Sequence, residues 1–288
     1  MDTRVDPLAL RWLLGVELSR HRRAAQLSLS ELAATTGIGK PKLGHMESGR
    51  YHQAPDDVQL VLQACGVPAT TVQQLVTLAA ARAGAKSWLS RWTDLIPGFL
   101  RTYVGLLDMA ERLFTFEPMV VPGLLQSRDY AQALTSANRF YRPDQAQSFA
   151  EFRQVRASRL AAQHNLTFQT VIGEAAIRTP VGEPSIRQAQ LEHLIDVARG
   201  GRVTLQLLRP EDGPHQASAI GQFALLEFGH GIRPVAYTEL LDDAIFVHDL
   251  DRVRTYQWVA DNLRELALPP AETLNCLQTE LNRWSKAG

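Results

Sequence analysis

The sequence predicts two unlike halves: an N-terminal all-α domain of five short helices over residues 1–83, and a larger α+β domain over 89–288, joined by a linker at 84–88. Three observations carry this reading. Helix start and stop residues recur at short intervals through the first eighty positions. The run AAARAGAKS at 79–87 then breaks the pattern with small residues, among them Gly84. Past it, runs with strand character alternate with helical ones.

The first helix spans about 8–25, where Leu10, Leu14 and Leu18 recur every fourth residue and build one apolar face. It ends in Arg20, His21, Arg22 and Arg23, cations suited to a helix C-terminus. Ser28-Leu-Ser-Glu31 has the form of a capping box, so a second helix runs over about 29–36 and stops at Gly37. A third helix covers 39–48 despite two glycines and a proline. Gly39 is tolerated at the N-cap, and Pro41 falls in the first turn, where its missing N–H has no intrahelical partner to lose. Leu43 and Met46 face the core, while Gly44 lets backbone approach a partner closely at a cost of about 1 kcal/mol relative to alanine. A fourth helix starts at Pro55 and carries Val58, Val61, Leu62 and Cys65 before Gly66; a fifth runs over about 70–83.

A tight glycine turn between the second and third helices is the helix-turn-helix arrangement. Charge agrees locally. The chain is neutral, with 30 basic and 30 acidic side chains, yet residues 20–50 hold a net +4, with His21 and His45 in addition. The segment LSLSELAATTGIGKPKLGHMESGR resembles the DNA-binding part of phage-repressor-type (XRE-like) helix-turn-helix regulators. The resemblance implies that helix 39–48 enters the major groove of double-stranded DNA. Lys40, Pro41 and His45 would face base edges, Lys42 and Arg50 would hold phosphates, and Ser28 and Ser30 would complete the DNA-binding set. It also implies that Glu47 pairs with Arg22 as a structural acid. Leu29 and Ser30 depart from the polar residue common in that family near the start of the second helix, and Pro41 cannot hydrogen-bond a base.

In the second half, Phe99, Leu100, Tyr103, Leu107, Ala110 and Phe114 form a helical stripe over 98–114. Val121-Pro-Gly-Leu-Leu-Gln126 reads as a rigid turn, with Gly123 supplying backbone freedom, ahead of a helix capped by Ser127. Asp144-Gln-Ala-Gln147 has the form of another capping box and leads a helix to about 163. Strand-like runs follow at 166–172, 202–208, 222–228 and 234–239, with a helix at 186–199 between the first two. Two long helices close the chain; Leu274, Leu277, Leu281 and Trp284 suit a core stripe or a dimer seam, the core stripe being the simpler. Gln126, Arg128, Tyr130, Glu174, Arg178, Tyr237 and Glu239 are the candidate contacts of this half for a ligand or a partner.

TFEPMVVPGLLQSRDYAQAL, IGEAAIRTPVG, QLEHLIDVA and PVAYTE are similar to the C-terminal domain of a large actinobacterial regulator family. That resemblance spans essentially the whole chain. It implies an antitoxin-like transcription regulator, often encoded beside a small partner protein, with roles in sporulation and antibiotic production and no assigned chemistry in its C-terminal domain. The 26 arginines against four lysines fit a high-GC genome.

Enzyme classes find no support. A Ser–Lys protease needs a lysine base, and none lies between 87 and 285; Ser218 has no such partner, although Ala83-Gly84 would offer a cut site. His215 and His230 lack paired ligand spacing, and Gly37-Ile-Gly39-Lys40-Pro41 lacks the phosphate-loop spacing and its hydroxyl. No cofactor is implied. Cys65 and Cys276 read as buried reduced thiols. Asp2 and Asp6 ahead of a short apolar run argue against a secretory signal, and no apolar run approaches ~20 residues, so the expected place is the cytoplasm, away from membranes. A single short recognition helix reads few base pairs, so a homodimer on a palindromic operator is expected.

Overall fold

The computed structural model describes residues 6–80, 87–137, 142–161, 166–229 and 231–285. The chain divides into two compact units, residues 1–110 with 228–233 and residues 111–227 with 234–288.

The first unit is helical: α1 (Pro7–Ala24), α2 (Leu29–Thr36), α3 (Lys40–Glu47), α4 (Pro55–Ala64), α5 (Ala69–Ala80), a 3-10 turn (Trp88–Trp92) and α6 (Gly98–Leu107). Leu10, Leu14 and Leu18 of α1 join Leu32, Leu43, Met46, Val58, Val61, Leu62 and Leu75 in one core. The capping box forms: Ser28 Oγ accepts from the Glu31 N–H at 3.2 Å, and the Glu31 carboxylate accepts from the Ser28 N–H at 2.8 Å. Gly37 takes φ 73°, the left-handed stop that a side chain would resist.

Residues 89–110, expected in the second domain, pack with the first. Gly105 of α6 lies so close to α1 that a Cβ there would stand 2.6 Å from that of Ala9. Arg101 also donates to the fully buried Asp6, Nε at 3.2 Å and Nη2 at 3.1 Å. Of the expected linker, 84–86 lie outside the described residues, and Ser87 instead caps the 3-10 turn by accepting from the Leu89 N–H.

The second unit holds β1 (Arg112–Glu117), α7 (Arg128–Ala137), α8 (Pro143–Ala161), β2 (Thr167–Gly173), α9 (Glu174–Arg178), α10 (Pro184–Arg199), β3 (Val203–Leu208), β4 (Phe223–Glu227), β5 (Val235–Glu239), β6 (Ala244–Val247), α11 (Leu250–Leu266) and α12 (Pro270–Ser285). One six-stranded sheet runs β3-β2-β1-β4-β5-β6. Strands β1, β2 and β3 are parallel and joined by helical crossovers; β4, β5 and β6 add antiparallel neighbours. The fold is thus an all-α helix-turn-helix unit followed by a mixed α/β unit.

Two strands depart from the expectation. The helical stripe over 98–114 ends at Leu107, and Phe114 sits on β1 at the centre of the sheet. Leu113, Phe114, Thr115 and Phe116 are all buried, because a central strand covered on both faces loses the alternation that marks a half-buried one. The four-residue edge strand β6 was also unforeseen. The predicted cap at Asp144 is shifted: α8 starts at Pro143, and Gln145 Oε1 accepts from the Arg142 N–H at 3.1 Å.

α12 is a core helix rather than a free seam. It packs on α10 and β3, Leu277 is fully buried, and Arg187 of α10 stacks over the Trp284 ring at 4.1 Å. Thr273 Oγ1 accepts from the Leu207 N–H of β3 at 3.0 Å.

Candidate nucleic-acid interface

α3 is held from below and open above. Leu43 and Met46 are buried in the helical core, while Lys40, Pro41 and Lys42 in its first turn are exposed. Gly39 is the N-cap and Pro41 falls in the first turn, so neither breaks the helix. His45 is half-buried, its ring edge-on to that of the exposed Tyr51 at 4.5 Å. Ser28, Ser30 and Arg50 are exposed as well.

Three devices fix α3 against α1. A Cβ at Gly15 would lie 2.6 Å from the Glu47 carbonyl and 2.8 Å from that of Met46, so α1 and α3 approach to backbone distance there. Gln53, fully buried, donates to the Met46 carbonyl at 2.8 Å and the Arg11 carbonyl at 2.9 Å. Arg22 clasps Glu47 through both carboxylate oxygens and donates to the Leu27 carbonyl at 2.7 Å. The acid of the third helix therefore has the structural role that the resemblance implied. Gly15 and Gln53 were not anticipated, although a glycine inside the Leu10, Leu14, Leu18 stripe is a usable sign of close backbone approach.

The local charge is smaller than residue counting suggests. Arg20 is bonded to the buried Glu17, Arg22 to Glu47, and Lys42 Nζ lies 2.7 Å from the Asp57 carboxylate. Burial, then the neighbouring Arg20, lowers the His21 pKa to about 4, so this ring is neutral at neutral pH and adds nothing to the field. Among the described residues, Arg23, Lys40 and Arg50 are exposed cations with no carboxylate in ion-pair range. Lys42, expected on a phosphate, is shared with Asp57 because the first turn of α4 presents that acid beside it.

The candidate contacts of the second unit do not converge. Gln126 is buried; its Nε2 donates to the Val121 carbonyl at 2.7 Å and its Oε1 accepts from Arg153 at 2.7 Å. Tyr130 is buried and its hydroxyl accepts from the Val121 N–H. Both brace the 121–126 turn, since buried polar atoms require partners. Tyr237, also buried, donates to Glu239 at 3.1 Å. Glu174 and Arg178 pair with each other at 2.8 Å, and Arg128 is exposed at the start of α7. Gly123 does not use the left-handed backbone expected of a glycine turn; a Cβ there would stand 2.4 Å from Arg156 Nη2, so that guanidinium would have to shift. Cys65 and Cys276 are free and half-buried rather than fully buried.

Among the described residues, no group of three or more His, Cys, Asp or Glu is placed to hold a metal ion, and no helix is long and apolar enough to cross a membrane. A family model described as Helix-turn-helix domain matches residues 13–75, which contain α2, the Gly37 turn and α3. A second, described as Domain of unknown function (DUF5753), matches residues 100–279. No curated protein and no solved structure gives a match. The exposed first turn of α3 and the helix-turn-helix match together make the first unit that of a DNA-binding regulator. Because the longer match takes in more than half of the 288 residues, the chain belongs to the DUF5753 family and joins that domain to a DNA-binding helix-turn-helix.

Proposed function

We propose that this protein is a cytoplasmic, non-enzymatic transcription regulator of XRE-like type that binds a palindromic operator as a homodimer, with α3 in the major groove. The observation that carries the reading is the first turn of α3, where Lys40, Pro41 and Lys42 stand exposed above the buried Leu43 and Met46. Lys40 can donate to guanine O6 or N7, and Pro41 can touch a thymine methyl. Arg50 and Arg23 serve as phosphate contacts, and Ser28 and Ser30 offer hydroxyls at the start of α2. Two copies spaced by ~34 Å would read both half-sites. The arginine-rich usage supports an actinobacterial source. The test is to map the sites bound across the source genome and measure affinity for the recovered sequence and for random duplex. Lys40→Ala is expected to relax the preference at one base pair, whereas Arg50→Ala weakens both duplexes alike. Equal losses on both duplexes for both variants would remove the assignment.

A second reading, an antitoxin-like module that binds a small partner protein encoded nearby and autoregulates its operon, is favoured by one observation. Leu240, Leu241 and Ile245 are exposed apolar side chains beside and on the edge strand β6. Co-purification of the neighbouring gene's product with the wild-type chain, lost in Leu241→Asp, would support it. Retention in that variant counts against this surface.

A further inference from the structure

The second unit contains a cavity of about 660 Å³. Packed interiors leave few voids larger than a water molecule, and pockets for small molecules span roughly 300–1,000 Å³, so this space has the size of a binding site. It opens between α8 and α10 over the first residues of β2 and β3. Leu124, Leu166, Phe168, Val197 and Val203 supply its apolar wall. All but Phe168 are only half-buried, so apolar surface remains for a guest to cover.

The polar groups are few and placed on two walls. His193 of α10 is half-buried, and burial lowers its pKa, which leaves a neutral imidazole with one donor and one acceptor nitrogen. Gln154 of α8 gives its Nε2 to the Gln126 carbonyl at 2.9 Å, which fixes the carboxamide and leaves Oε1 as an acceptor. Ser158, one helical turn along α8, adds a hydroxyl. Among the described residues lining the cavity, Arg202 is the charged one, and it is exposed, where water screens it. An ionised guest would meet an apolar wall without a buried counter-charge.

We propose that this cavity binds an uncharged, mainly apolar small molecule bearing a hydroxyl or carbonyl group, with His193, Gln154 and Ser158 orienting that group. The site is independent of the DNA-binding reading, because occupancy can be measured on the full chain without DNA.

The experiment titrates the full-length protein with N-phenyl-1-naphthylamine, a neutral fluorophore, and with 1-anilinonaphthalene-8-sulfonate, its anionic counterpart. Saturable single-site binding with preference for the neutral probe is expected. Ala157→Trp and Ser158→Trp each project a large ring into the space and should weaken binding at least about tenfold with an unchanged circular dichroism spectrum. Because Ser158 is exposed, that variant keeps the test decisive if Ala157→Trp does not fold. His193→Phe should lower the affinity of 1-naphthol, read by competition, and leave that of 1-methylnaphthalene unchanged. Absence of saturable binding, equal binding to the wild type and a folded tryptophan variant, or preference for the anionic probe would each overturn the proposal.

Discussion

Arg22 Nε donates to Glu47 Oε1 at 2.5 Å while its Nη2 donates to Oε2 at 2.8 Å, which ties the end of α1 to the end of α3. Both side chains are largely covered. Glu47→Ala leaves a largely covered guanidinium without its carboxylate, so it should cost about 2 kcal/mol in urea unfolding of the first unit. A double-mutant cycle with Arg22→Ala should return most of that cost as coupling. Near-zero coupling would mean that the pair is incidental.

Two glycines that resemble each other in sequence should behave in opposite ways. Gly15→Ala drives a Cβ into the Glu47 and Met46 carbonyls and should destabilise by at least about 2 kcal/mol, because backbone cannot yield as a side chain does. Gly44→Ala meets nothing nearer than 4.0 Å and should raise stability by up to about 1 kcal/mol. If α3 lies close to duplex DNA at that point, the same substitution lowers operator affinity. Thermal melts and anisotropy titrations on the two variants separate these effects.

The ion pair between Lys42 and Asp57 sets how much of the lysine's charge a phosphate can use. Asp57→Asn should raise affinity for random-sequence duplex and steepen the dependence of log K on log salt by up to about one. Among the described residues no acid pairs with Lys40, so Lys40→Ala should flatten that slope by about one. A salt series on each variant provides the check, and an unaltered slope in both would rule out phosphate contact by this turn.

Two half-buried groups give the units opposite responses to pH. Burial, reinforced by the Glu239 carboxylate, raises the Glu117 pKa from 4.5 to about 8. The folded chain holds that proton where the unfolded chain releases it, so this contribution to stability falls as pH rises from about 4.5 to about 8. His21, lowered from 6.5 to about 4, acts the other way, and its contribution is lost as pH falls through that window. Urea unfolding over a pH series should show the first trend flattened by Glu117→Gln and the second by His21→Phe. A slope unchanged by its own variant would assign the effect elsewhere.

What was legible in the sequence was local. The Ser28–Glu31 capping box, the Gly37 stop and the apolar face of α1 each depend on residues within a few positions, and all formed as expected. The non-local features escaped. β1 continues the periodicity of α6 closely enough for Phe114 to extend the helical stripe, and only its burial on both faces makes it a strand. The boundary at 84–88 was placed by composition, whereas the compact unit extends to Ala110 because Gly105 and Arg101 bind α6 to α1. At the candidate site, exposure of Lys40, Pro41 and Lys42 followed from the helix register, but the acids that answer Arg20 and Lys42 depend on packing. Gln126, Tyr130 and Tyr237 looked available because polarity is visible in a sequence and burial is not.

Strand β1 finds one neighbour in Thr167–Gly173 and the other in Phe223–Glu227. A nascent chain therefore carries Leu113, Phe114 and Phe116 out of the ribosome long before the segments that cover them exist. During that interval they are an exposed, sticky strand in need of shelter. Premature stop codons upstream of Phe223 should thus yield aggregating fragments rather than a shortened regulator.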